Sequence, residues 1–229
     1  KRMQTSGKQL PGAYGANEPK QNAANLRTKG WELMLTWNDA FKLANKPFRY
    51  NLSVGLADNT SEITKFDNPS KILSDYYVGQ KLGDIWGYVV DGLFRTDEEA
   101  ANYNVDQTAV NFVINTAQVN PGLHAGDMKF VDLDGNNKIS SGSNTADDPG
   151  DRKIIGNSLP RYTYSIQGGF DWYGFDFSIY LQGVGHQDWY PGTNSVFFWG
   201  PYARPYSSFI PRDFLSNVWS PENPDAYFP

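Results

Sequence analysis

The chain has 229 residues, 39% of them hydrophobic and 20% charged, with a net charge of −5. That length holds one large domain or two small ones, and that composition excludes a disordered chain. The excess of acid, without any basic run, argues against a nucleic-acid partner. With no cysteine there is no disulfide, thiolate metal site or cysteine nucleophile. No apolar run approaches the roughly 18 residues of a membrane helix.

Residues 1–29 are polar, contain Gly and Pro, and carry no strong period. No apolar core of a signal peptide follows the start, and both ends read as cut from something longer. The first clear alternation sets Trp31, Leu33, Leu35 and Trp37 against Glu32, Met34, Thr36 and Asn38. After a short link, 39–47, the second sets Phe48, Tyr50, Leu52, Val54 and Leu56 against Arg49, Asn51, Ser53 and Gly55. Period two of this kind predicts strands with one apolar and one polar face. A long segment, 58–160, follows. Within it 97–104 predicts a short helix, with Thr96 as N-cap and Glu99 at the capping-box position.

The third alternation holds Tyr162, Tyr164, Ile166, Phe170 and Trp172 on its apolar face, and the fourth Phe175, Phe177, Ile179 and Leu181. The turn Tyr173-Gly174 joins them as a hairpin. Residues 185–229 are rich in aromatics and proline and predict an irregular loop. The fold class is therefore mainly β: antiparallel hairpins at about 30–57 and 161–184, long loops at about 58–160 and 185–229, and a minor helix. Short turns alternating with long loops suit a large transmembrane β-barrel, whose hydropathy is hidden by alternation. A soluble β-sandwich alternates in the same way. The aromatics Phe170, Trp172, Tyr173 and Phe175 at one hairpin end suit either an interface girdle or a core corner.

One loop carries possible metal chemistry. Asp132, Asp134 and Asn136 stand at positions 1, 3 and 5 of a calcium-type loop, with the Lys138 carbonyl at position 7 and Ile139 as its apolar anchor. Asn137 replaces the usual Gly, which is tolerable because Asn visits left-handed conformations. The twelfth position is Ser143 rather than Glu, so a later acid must complete the set. Asp151 is the first choice if 142–150 bulge outward, and Asp147 and Asp148 are the others. The same residues also make a plain Asp/Asn/Gly turn without an ion. His124 and His186 stand alone as solvated histidines. No nucleophile elbow, P-loop or zinc pattern is present, so an enzyme is not expected. Trp189, Tyr190, Trp199 and Tyr202 either contact a ligand, since aromatics stack on sugar rings, or anchor the last loop.

Six stretches, in order, resemble the SusC/RagA family of TonB-dependent outer-membrane transporters of Bacteroidota. They are 25–33 (NLRTKGWEL), 76–88 (YYVGQKLGDIWGY), 91–94 (DGLF), 126–135 (GDMKFVDLDG), 151–157 (DRKIIGN) and 219–224 (WSPENP). The resemblance implies a barrel of roughly 22 strands with an N-terminal plug, this chain being a portion of its C-terminal half. It implies an outer-membrane importer of glycans or peptides, set in the lipid bilayer and capped by a SusD-like surface lipoprotein. The TonB complex would supply energy through an N-terminal part outside this chain. The family's D-x-N-G-D-G loop runs directly into Asp-Arg; here Asn137 and Ser140 depart from it and an insert intervenes, while Asp151 aligns as the last ligand. The alternative is a secreted soluble β-rich module that binds carbohydrate, with a possible calcium loop.

Overall fold

The computed structural model describes residues 2–6, 20–110, 122–192 and 210–229. They divide into two compact units: 1–71, 75–84 and 156–189 form one, and 72–74, 85–155 and 190–229 the other.

The first unit is an open, fully antiparallel sheet in the order β1-β2-β3-β8-β9. Its strands are β1 (Arg2–Ser6), β2 (Lys20–Leu43), β3 (Lys46–Lys65), β8 (Arg161–Trp172) and β9 (Phe175–His186). The registers keep the predicted faces together. Leu33 faces Leu56, which faces Tyr164; Leu35 faces Val54, which faces Ile166 and then Leu181. The opposite face carries Thr36, Ser53, Gln167 and Tyr180 in one row and Asn38, Asn51, Gly169 and Ser178 in the next. The Thr36 and Ser53 hydroxyls bond at 2.9 Å. Both hairpins close on two residues: Ala44 and Asn45 have φ of 50° and 60°, Tyr173 and Gly174 φ of 51° and 84°. These are the positive angles whose twist matches paired strands.

Two sequence expectations differ here. The link 39–47 shortens to Ala44-Asn45, because β2 continues through Phe41, which faces Phe48. The strands also run past the expected bounds of 30 and 57, to Lys20 and Lys65. Both faces are largely polar there, so no alternation marks them.

After β8 leaves β3 at Thr163, residues 77–84 take over that edge: Ile63 N donates to Gln80 O at 2.9 Å and Leu82 N to Ser61 O at 2.8 Å. The buried side chains Ile63, Tyr77 and Ala24 lie in this region. Elsewhere the sheet face is open, with Leu35 62%, Trp37 60% and Phe175 70% exposed.

The second unit contains short pieces. β4 (Asp84–Tyr88) pairs with β7 (Arg152–Asn157), and β5 (Val90–Leu93) with β6 (Met128–Phe130). Helix α1 is only Asp97–Ala101, shorter than expected; the Thr96 side chain accepts from Glu99 N, and Glu99 reaches back to Arg95 N. Phe94, Ile139, Ala100 and Phe130 are buried. Phe94 meets Tyr103 edge-on at 5.2 Å, and the Tyr103 hydroxyl donates to Phe130 O. Gln107, buried, donates to Met128 O at 2.8 Å and accepts from Phe130 N at 3.3 Å, so its amide extends the β5–β6 ladder by one partner. Among the described residues no helix is long and apolar enough to cross a membrane.

Candidate functional site

The Asp132–Asp151 loop is built from Asx turns. Asp132 Oδ1 accepts from Gly135 N and its Oδ2 from Asn137 N, both at 2.7 Å. Asp134 Oδ1 accepts from Asn136 N at 3.1 Å, and Asn136 Oδ1 from Lys138 N at 2.8 Å. Each side chain thus folds the backbone inward two to five residues ahead. Gly135 and Asn137, with φ of 76° and 61°, supply the left-handed steps. Ile139 is fully buried and its N–H donates to Asp106 O at 2.8 Å, which ties the loop to the segment before it.

Asp151 closes the loop from outside. It is 0% exposed, and its carboxylate accepts from Leu133 N at 2.8 Å and Ser140 N at 2.7 Å. The insert 141–150 bulges away and is gripped by Arg152, which donates to Ser141 O, Asn144 Oδ1 and Pro149 O. Asp148 belongs to the insert's own turn, accepting from Ser143 N and Oγ. Asp132, Asp134 and Asp151 each place one carboxylate oxygen within 4.8 Å of the others. Oxygens bound at about 2.4 Å to one calcium ion lie no more than about 5 Å apart, and a carboxylate oxygen that accepts an N–H keeps a second lone pair. The donor set fits a hard cation. Burial works to raise the Asp132 carboxyl, but the amides of Asn137, Gly135 and Asn136 outweigh it and hold it below the usual range. Asn136 and Lys138 stand in the same loop; the Lys138 backbone also bridges Asp106.

The remaining candidates are scattered. Trp189 and Tyr190 are exposed beyond β9, while Trp199 and Tyr202 lie outside the described residues. The two histidines are exposed, yet neither is alone: His124 Nδ1 lies 3.5 Å from Asp97 Oδ1, and His186 Nε2 3.0 Å from Asp188 Oδ2. Both partners are held below the ordinary carboxylate value, chiefly by backbone amides, of Ala125 for Asp97 and of Asn157 for Asp188.

Sequence reasoning also missed the ion pair at the end of the β3–β8 ladder. Arg161 grips Asp58 through Nε and Nη2 at 2.5 and 2.6 Å, with Asp58 only 9% exposed. The residues are 103 apart in the chain, so no local pattern could pair them.

No family model matches the chain. Two receptors of Formosa agariphila are similar to it. TonB-dependent receptor P39 is 26% identical over 193 aligned residues, covering 74% of this chain and 18% of that protein. TonB-dependent receptor P3 is 23% identical over 186, covering 76% of this chain and 16% of that protein. The chain therefore spans less than a fifth of the length of the curated relatives it matches. An open antiparallel sheet with almost no helix is the architecture of part of such a receptor's barrel wall. Over about three quarters of its length, this mainly β chain is similar to TonB-dependent receptors of the outer membrane.

Proposed function

We propose that the chain forms part of the barrel of a TonB-dependent outer-membrane importer of the SusC/RagA type. The observation that carries this is the extended apolar face of the sheet, exposed in its own unit and backed in register by a polar one. The apolar column of β2 runs from Trp31 to Phe41, interrupted by Asp39 near the turn. At about 3.4 Å per residue that is about 34 Å of strand, and a tilt of about 45° brings it to about 24 Å, close to the apolar band of such barrels. The turn end carries the aromatic series Phe41, Phe48, Phe170 and Phe177, which steps across two adjacent rows of the sheet with successive ring centroids 5.0 to 5.4 Å apart. An apolar face of this extent argues against a soluble carbohydrate-binding module.

In this reading the turns 44–45 and 173–174 face the periplasm and the loops 58–160 and 185–229 are extracellular. The importer passes glycans or peptides with a SusD-like lipoprotein and draws energy from TonB, and Trp189, Tyr190, Trp199 and Tyr202 are contact aromatics. Chain orientation is the direct test. In cells making the full-length protein, Lys153→Cys should react with a membrane-impermeant maleimide, and Lys46→Cys only after the outer membrane is breached. The reverse pattern, or equal labelling of both in intact cells, refutes the proposal.

The same proposal places a calcium ion in the Asp132–Asp151 loop, held by Asp132, Asp134, Asn136, the Lys138 carbonyl and Asp151, where it braces the outer surface. Support comes from the three convergent carboxylates. Asp134→Ala should lower the melting temperature in calcium but not in chelator. Equal loss in both would leave the loop a structural role only.

A further inference from the structure

Three cations stand on the face that carries the apolar column, just past its outer end. In the β2–β3 register Trp31 faces Asp58, Lys29 faces Thr60 and Arg27 faces Glu62. Cross-strand partners share a face, and residues two apart stay on it. Lys29 and Arg27 therefore extend the Trp31–Leu33–Leu35 column by one row and two rows. The returning segment adds a third cation. Lys81 bridges Glu62 in antiparallel fashion, so its side chain emerges on the same face, in the row Arg27–Glu62–Lys81.

The charges in these rows do not balance. Arg27 Nη2 donates to Glu62 Oε2 at 2.8 Å, and Arg27, Lys29 and Lys81 all bear electrostatically on that one carboxylate. In the row below, Arg161 and Asp58 neutralise each other. Four cations stand against Glu62 and Asp58 on this face, and with Asp84 beside the Lys81 backbone counted as well, one positive charge remains in excess. Asp84, the next acid along the chain, turns its carboxylate to Lys81 N and the Asn157 amide. Arg27, Lys29 and Lys81 are exposed.

We propose that this strip binds the phosphate groups of anionic lipids of the outer leaflet, whose acyl chains lie along the apolar column beneath. The inference rests on the membrane placement above. Depth and charge select this partner. One row is about 7 Å along the strand and about 5 Å along the membrane normal at the same tilt. Lys29 therefore stands about 5 Å beyond Trp31, within a headgroup layer about 5–7 Å deep, and Arg27 about 10 Å beyond it, a few Å past that layer, a distance its long side chain can span back. Trp31 itself marks the interface, where indoles concentrate. Arg27 offers a planar fork suited to phosphate, and the lysines offer point charges.

The test uses the full-length protein in detergent, with diphosphoryl lipid A as the probe and retention read by native mass spectrometry. Each cation near an anionic surface contributes about fivefold in affinity, so Arg27→Ser, Lys29→Ser and Lys81→Ser together should weaken retention on the order of a hundredfold. Lys29→Ser alone, which breaks no ion pair seen here, should weaken it about fivefold. A control pair, Lys42→Ser and Lys46→Ser, at the turn end, should leave it unchanged. Undiminished retention by the triple variant, or equal retention of dephosphorylated lipid, overturns the inference. Membrane placement is read separately, by flotation with phosphatidylcholine vesicles. Failure of the unsubstituted protein to float refutes the importer reading. Flotation of every variant with equal lipid A retention refutes the lipid strip alone.

Discussion

Asp151→Asn separates what the backbone asks of the Asp132–Asp151 loop from what a cation would ask of it. Asp151 is fully buried, and its two oxygens take the amides of Leu133 and Ser140. Asn keeps the shape but puts an –NH2 where one oxygen was, so one backbone N–H then faces a donor. A hydrogen bond to a charged group contributes about 1.5–3 kcal/mol, and an orphaned buried donor costs about 1–3 kcal/mol. Local opening should become easier by about 3 kcal/mol, which is roughly a hundredfold in hydrogen-exchange protection of those two amides. A second effect has the opposite sign. The substitution removes one charge from three that sit within 4.8 Å, which relieves repulsion when no cation is present. The loss of protection should therefore be smaller in chelator, on the order of tenfold, and near the full hundredfold in calcium, where a ligand is lost as well. Loss of the same size in both conditions would refute the cation argument. Unchanged protection in both would refute the claim that Asp151 holds the loop shut.

Three further outcomes follow from the geometry. Gly126 sits at φ 93°, and an added Cβ would lie 3.0 Å from the Trp219 ring, so Gly126→Ala should destabilise the second unit by about 1–3 kcal/mol in thermal unfolding. An unchanged melting temperature would show that Trp219 does not pack there. Ala44, at φ 50°, carries strain that glycine lacks, so Ala44→Gly should stabilise the first hairpin by up to about 1 kcal/mol in denaturant unfolding; a loss would deny the left-handed turn. The Glu99–Lys129 pair, at 3.1 Å, should shape the pH profile of the second unit at both ends. The Arg95 amide, then Lys129, hold Glu99 below its ordinary value of 4.5, so its contribution is present above that value and fades as pH falls through the depressed one. Lys129 is raised above 10.5, chiefly by its hydrogen bond to Glu99, so its share is full below 10.5 and is lost as pH rises through the elevated value. Glu99→Gln should flatten both limbs, and an unaltered profile would remove the pair from the account.

What the amino-acid pattern reveals follows from where a solvent boundary lies. Between Trp31 and Phe41 one face of β2 is mostly apolar and the other mostly polar, so the alternation can be read residue by residue. From Lys20 to Gly30 and from Asn59 to Lys65 both faces are largely polar; the strands persist, but nothing forces a period. The second unit hides for another reason. Its strands are three to six residues long, too short for a pattern, and its interior depends on single distant partners. Gln107 completes the edge of Met128–Phe130, and Asp151 reaches across an insert to Leu133. The loop's opening acids were legible because each Asx turn needs its acceptor two to five residues from its amide. The closing acid lies beyond the insert, where the pattern left Asp151 as the first choice among three acids and the Asp151-Arg152 resemblance strengthened it. Arg152 gives that resemblance a physical basis: by holding 141–150 out of the way, it lets a loop with an insert close as one without would. Removing Arg152 should therefore loosen the insert before it disturbs Asp151, because the insert loses three donor contacts while Asp151 keeps the amides of Leu133 and Ser140.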